Sequence, residues 1–181
     1  IAGSAEAVSS AHDLTYLVKF DGIEGTSTLD GYEGYFEVDA FTFGEFTQLA
    51  TGGTGSGTGK ATFDPLMLDL DGVSPGLTDL LKKAGSGVHI ANVDLVGLKI
   101  HDGAADDVYH LQLDEAFVSG LATNGEDTAV GLSYGKFTET VTEQKADGSL
   151  GDSRSVSFNL LTDGGEVNAV DPNALATMVH D

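Results

Sequence analysis

The sequence predicts a mainly β fold, a barrel or a sandwich of two sheets, with one short α-helix mid-chain and an extended glycine-rich loop. Three observations predict it. Segments in which apolar and polar residues alternate recur at regular spacing along the chain. Turn pairs separate them, at Asp102-Gly103, Asn124-Gly125 and Asp147-Gly148. Helical spacing with start and stop signals together occurs between Ser74 and Gly85.

The elements follow in order. Residues 1–13 are small and polar without periodicity and read as a flexible arm. Leu14, Tyr16, Val18 and Phe20 then alternate with Thr15 and Lys19, the pattern of a half-buried strand. A Gly- and Thr-rich turn region leads to a second strand, Tyr35 to Phe43. Its faces switch from Phe36 and Val38 to Phe41 and Phe43, which predicts a bulge near Asp39 to Phe41. Gly52 to Lys60 (GGTGSGTGK) is a low-complexity connection that builds no core. Ala61 to Leu70 reads as one strand whose first half Pro65 demotes to an edge.

The helix has Ser74 as cap, Pro75 at its first position, Leu77, Leu80, Leu81 and Ala84 on one face, and Lys82 and Lys83 near its negative end, with Gly85 as its stop. Strands are expected at Ile90–Ile100, Val108–Val118 (Tyr109, Leu111, Leu113 and Phe117 on one face), Thr128–Thr142, and through Val156, Phe158 and Leu160. The chain therefore divides into an arm (1–13), a β-domain (14–162) and an acidic C-terminal appendage (163–181) with a short helix at Asn173–Val179.

Composition bounds the function. Lys plus Arg number 8 against 29 Asp plus Glu, a net charge of −21, which repels nucleic acid and anionic lipid. Cysteine is absent, so neither disulfides nor thiolate metal sites are available. No apolar run is long enough for membrane insertion by a helix. The chain opens at Ile1, compatible with removal of a secretory leader and equally with a truncated start.

Several motifs test specific chemistries. Gly131-Leu132-Ser133-Tyr134-Gly135 matches G-x-S-x-G, with Asp163, Asp171 and His180 in hydrolase order, but Ser133 sits in an alternating strand with no helix behind it. The glycine loop misses the phosphate-loop pattern at Thr54 and Ala61. Asp69-Leu70-Asp71-Gly72 is a fragment of a calcium loop, and Asp102 and Asp106 are further calcium candidates, although turn chemistry explains all four. The five histidines lack zinc spacing. No enzyme and no required cofactor are expected.

One stretch carries a family resemblance. Phe20 to Thr28 (FDGIEGTST), Gly34 to Val38 (GYFEV) and Phe41 to Gly44 (FTFG) resemble the Hcp tube proteins of type VI secretion systems. Gly59 to Phe63, the Ser74 to Leu81 helix start, and Tyr134 to Lys145 with the following Ala146-Asp147-Gly148 support it. The resemblance covers residues 14–162 and implies an Hcp-like β-barrel. It also implies a secreted structural subunit that joins copies of itself into hexameric rings stacked in a hollow tube, with effector or spike proteins as partners. By the same resemblance the loop at Phe46, Gly52, Gly53, Gly55, Gly57, Gly59 and Lys60 reaches the neighbouring ring. The charge, the arm and the tail leave two alternatives open. One is an exported protein building an extracellular filament on the same fold; the other is a monomeric secreted β-domain that binds calcium or a protein partner.

Overall fold

A computed structural model describes residues 14–44, 46–48, 61–72 and 74–180; the N-terminal arm and most of the glycine loop lie outside the described residues. The strands are β1 (Thr15–Phe20), β2 (Phe36–Thr42), β3 (Phe46–Gln48), β4 (Ala61–Phe63), β5 (Leu66–Asp71), β6 (Ile90–His101), β7 (Ala104–Thr123), β8 (Asp127–Ser133), β9 (Lys136–Gln144), β10 (Leu150–Asn159) and β11 (Glu166–Val167). The helices are α1 (Gly76–Ser86), α2 (Leu160–Asp163) and α3 (Pro172–His180). Six strands, in the order β7-β6-β1-β2-β5-β8, close into a barrel through the β7–β8 pairing. β9 and β10 extend from β7 outside the barrel, and β11, β4 and β3 form a small second sheet.

β7 is what makes closure possible. Its first part, Tyr109 to Asp114, pairs with β9, and its second, Phe117 to Thr123, pairs with β8. Between them Glu115 adopts φ 52°, and the Gly135 N–H donates to the carbonyls of Asp114 (3.1 Å) and Glu115 (3.2 Å). The extra residue shifts the strand's phase by one. Leu111 and Leu113 are buried on one side of the bulge, and Ala116 and Val118 on the other. This corrects two expectations. Phe117 does not share the face of Leu111 and Leu113 but turns toward His89, ring centroids 5.5 Å apart. Thr128–Thr142 is not one strand but two, β8 and β9, because the Tyr134-Gly135 corner separates them.

The expected strand Ala61–Leu70 also divides, at Asp64-Pro65, with β4 in the small sheet and β5 in the barrel. The bulge expected near Asp39 is present, as a register shift between Val38 and Ala40 against β5. For α1, Ser74 Oγ accepts from the Gly76 N–H at 3.2 Å, while Pro75 already has helical φ and ψ of −55° and −28°. The stop lies at Gly87, φ 66°, two residues beyond the expected Gly85; Gly87 is the one in the left-handed conformation that closes the last turn on Lys83.

The barrel interior is aliphatic: Leu66, Leu68, Leu70, Leu95, Leu111, Leu113 and Leu132 are fully buried, with Phe20, Ile23 and Leu80 of α1. Burying each such side chain contributes about 1.5–3 kcal/mol before entropy is counted. A separate apolar layer lies outside the barrel, where Leu29, Tyr32 and Tyr35 fold over Leu17, Val96 and Leu98. The C-terminal residues pack as well. Leu175 and Val179 of α3 are buried with Met67 and Ala129. The tail lies so close that a Cβ at Gly120 would be 2.8 Å from Leu175, and one at Gly131 would be 2.6 Å from Val170.

Candidate assembly surface

The root of the glycine loop is the hairpin β3–β4, registered Phe46 to Phe63, Thr47 to Thr62 and Gln48 to Ala61. Antiparallel pairing brings both ends of the loop out side by side. The root is held from below. β4 pairs in parallel with β11, Glu166 opposite Thr62. Phe63 joins an aromatic group whose centroids are 5.4 Å from Phe137 and 4.9 Å from Phe158, and Phe43 lies 5.2 Å from Phe137. Tyr134 packs at 5.7 Å from Phe43 and donates its hydroxyl to the Asp64 carbonyl at 2.9 Å. Burial, reinforced by the Asp64 carboxylate, pushes the Tyr134 phenol far above its ordinary pKa, so it stays a donor. These contacts fix the loop's base to the barrel wall. Of the expected assembly residues, Phe46 lies in β3, while Gly52, Gly53, Gly55, Gly57, Gly59 and Lys60 lie outside the described residues.

The expected calcium candidates do not gather. Asp102 sits in the tight β6–β7 turn with φ 49°, and Asp106 accepts from His101 Nε2 at 2.7 Å. Asp69 and Asp71 lie on β5, and Asp71 stands opposite Asp127 of β8. The structure instead brings together Asp39, Asp69 and Asp127, one carboxylate oxygen of each lying within 4.8 Å of the others. Asp39 arrives through the bulge in β2. Partial burial, then Asp71, Asp127 and Glu37, raise its pKa. Strand-by-strand reading missed Asp39 and Asp127 because the pairing of β2 and β8 with β5 is a tertiary fact; the face change near Asp39 was the available signal.

Nucleophilic and zinc chemistry find no support in the geometry. Ser133 ends β8 and is followed by a corner and a strand. Asp163 accepts from the Asn159 N–H, and Asp171 caps the α3 start at the Asn173 N–H. The histidines whose side chains are described each face a separate carboxylate: His89 with Glu115, His101 with Asp106, His110 with Asp94.

With this geometry in place, the comparisons are direct. The family described as "Type VI secretion system effector, Hcp" matches residues 17–142. No curated protein matches. A solved structure of a type six secretion system protein aligns with TM-score 0.71 at 21% identity, covering 83% of this chain and 98% of the other. Hcp1 from Salmonella typhimurium aligns with TM-score 0.67 at 20% identity over 83% of this chain and 97% of its own. A type VI secretion system effector from Yersinia pestis gives TM-score 0.62 at 18% identity, over 80% and 98%. At these identities the structures establish a shared fold; the family match establishes membership.

Proposed function

We propose that this chain, which belongs to the Hcp family of type VI secretion effectors, is a structural subunit that assembles into rings, and that its rings stack into a tube. It is not an enzyme. The observation that carries this reading is the family match over residues 17–142 on a closed barrel. A ring followed by a stack requires two different surfaces on one subunit, and a heterologous contact that closes on itself gives the ring. The hairpin β3–β4 suits the second surface, since its base is paired to β11 and packed on the barrel's aromatic group, and the sequence it connects is glycine-rich. Ordering such a segment costs conformational entropy, which docking offsets.

The family is described as a type VI secretion system effector, which supports an exported, extracellular destination for this chain. Effector cargo or a spike protein are its partners in this reading. The charge of −21 favours a second destination for the same geometry, a filament assembled outside the cell, where salt and divalent cations screen the acids.

Negative-stain electron microscopy with sedimentation velocity tests the proposal. Rings or tubes from the purified protein support it. A single-copy species at high concentration, in salt and with divalent ions present, refutes it.

A further inference from the structure

The chain contains five asparagines, and Asn124 alone is followed by glycine; the others precede Val93, Leu160, Ala169 and Ala174. Asn124-Gly125 lies in the exposed turn between β7 and β8. There the Asn124 side chain does more than turn the chain. Its Nδ2 donates to the carbonyl of Val179, in the last turn of α3. The last four carbonyls of a helix have no partner within it, so this side chain caps α3 from 55 residues away.

The same side chain is set up for attack by its own backbone. Its Oδ1 accepts from the N–H groups of Glu126 and Asp127, both at 2.8 Å. Main-chain donors on one carbonyl oxygen draw electron density from Cγ, and they stabilise the negative charge that oxygen carries once a nucleophile has added. The nucleophile is the Gly125 nitrogen, next in the chain, which closes a five-membered ring when it bonds to Cγ. Holding the two groups on adjacent residues removes most of the entropy cost of bringing them together. Gly125 adopts φ 93°, and no atom lies within 4 Å of where its Cβ would be, so the peptide has room to rotate. Its N–H donates to Thr123 Oγ1 at 3.1 Å, an exposed contact that water can replace.

We infer that Asn124 is a self-modifying latch: the Gly125 nitrogen cyclises onto its side chain, and the product releases α3. Hydroxide takes the Gly125 amide proton, the nitrogen bonds to Cγ, and the Cγ–Nδ2 bond breaks. Nδ2 takes a proton from water and leaves as ammonia. Water then opens the succinimide at either carbonyl, breaking one C–N bond and leaving aspartate or isoaspartate at position 124. Water is the one co-reactant. The new carboxylate has no hydrogen to donate to Val179, and it sets negative charge at the negative end of α3, beside Glu126 and Asp127. Leu175 and Val179 of α3 are buried with Met67 and Ala129, so release uncovers the outer face of β5 and β8. The latch does not depend on ring formation.

The test incubates the purified full chain at mildly acidic and mildly alkaline pH and follows it by peptide mass mapping and hydrogen exchange. Asn124 should be converted first among the five asparagines, and faster at alkaline pH because hydroxide starts the reaction. As conversion proceeds, exchange protection of α3 should fall by about tenfold, the effect of one lost hydrogen bond with added repulsion, while that of β6 stays. Asn124→Asp should show the same loss from the start. Asn124→Gln, whose longer side chain closes a ring far more slowly, should keep its mass and its initial α3 protection throughout. A thermal melt checks that both variants, altered in an exposed turn, remain folded; should either fail, the wild-type time course decides alone. Conversion of another asparagine before Asn124, or of none, overturns the modification. Unchanged α3 protection in Asn124→Asp or in converted wild type, or an equal loss in incubated Asn124→Gln, overturns the latch. Each of these results leaves the family reading standing.

Discussion

The barrel and the β9–β10 hairpin are built from the same alternating pattern and put it to opposite uses. In β5, Leu66, Leu68 and Leu70 point into a closed interior and are fully buried. In β9 and β10, Val141 and Val156 continue an apolar face and are half-exposed, and the opposite face carries hydroxyls. Alternation fixes which residues share a face; closure decides whether that face is covered. The barrel buries its apolar face, and the hairpin leaves part of its own exposed.

The sharpest test of that division is a pair of truncations. Leu68→Ala, at a fully buried site, should cost about 2–5 kcal/mol of stability, through lost transfer energy and the cavity left behind. Val156→Ala should stay within about 0.5 kcal/mol, as surface substitutions do. Urea titration of both variants measures this. Equal losses would erase the distinction between interior and hairpin.

A second test asks how far the C-terminal residues belong with the barrel. Gly131→Val would drive a side chain into Val170, since even a Cβ there lies 2.6 Å from it. Overpacking of this kind costs about 1–3 kcal/mol. Protection of the α3 amides in hydrogen exchange should fall with it. Unchanged protection would mean that the close approach of Val170 to β8 does not hold the tail in place.

Deleting Thr51 to Gly59 probes the third region. The segment connects two strands already paired at their base, so shortening it should alter stability by less than about 1 kcal/mol. Ring stacking should be lost, which electron microscopy would reveal. Intact tubes from the deletion would remove the loop's role while leaving the barrel untouched.

Much of the barrel was legible because its signals are local. Alternation located β1, β2, β6 and the Val156–Phe158 part of β10, although Leu160, expected in that strand, begins α2; the shift of faces near Asp39 marked a bulge, and Pro65, read as demoting half of one strand to an edge, separates two strands, β4 and β5. What escaped depends on contacts between distant segments. Leu17 reads as the solvent side of β1 and is buried because Leu29, Tyr32 and Tyr35 fold across it. Glu115 takes a left-handed conformation without a glycine to announce it, so the phase change in β7 was invisible. Gly85 and Gly87 are both glycines in the right place, and only the backbone distinguishes them. Asp39, Asp69 and Asp127 meet through strand pairings that no single strand encodes.

The smallest expected effect is also the one most specific to the polar face behind the hairpin. His110 of β7 lies 3.0 Å from Asp94 of β6, with Asp107 nearby, and the outer layer of Tyr32 and Tyr35 adjoins these acids. The hydrogen bond to Asp94 raises the His110 pKa above its ordinary 6.5; burial opposes this, and the charges of Asp94 and Asp107 add to it. The folded state therefore holds a proton that the unfolded state has begun to release. The stabilisation is fully present below pH 6.5 and is lost as pH rises through the folded-state value. Removing the partner in Asp94→Asn should flatten the wild type's stability loss in that window. Because His110 is partly exposed, the change should be small, a shift in the pH slope of the melting temperature rather than in its maximum. Val141→Ala, on the opposite face of the same hairpin, should leave the slope unchanged. If Asp94→Asn and wild type lose stability in parallel between pH 6 and 8, the titration belongs to some other group and the His110–Asp94 pair contributes only geometry.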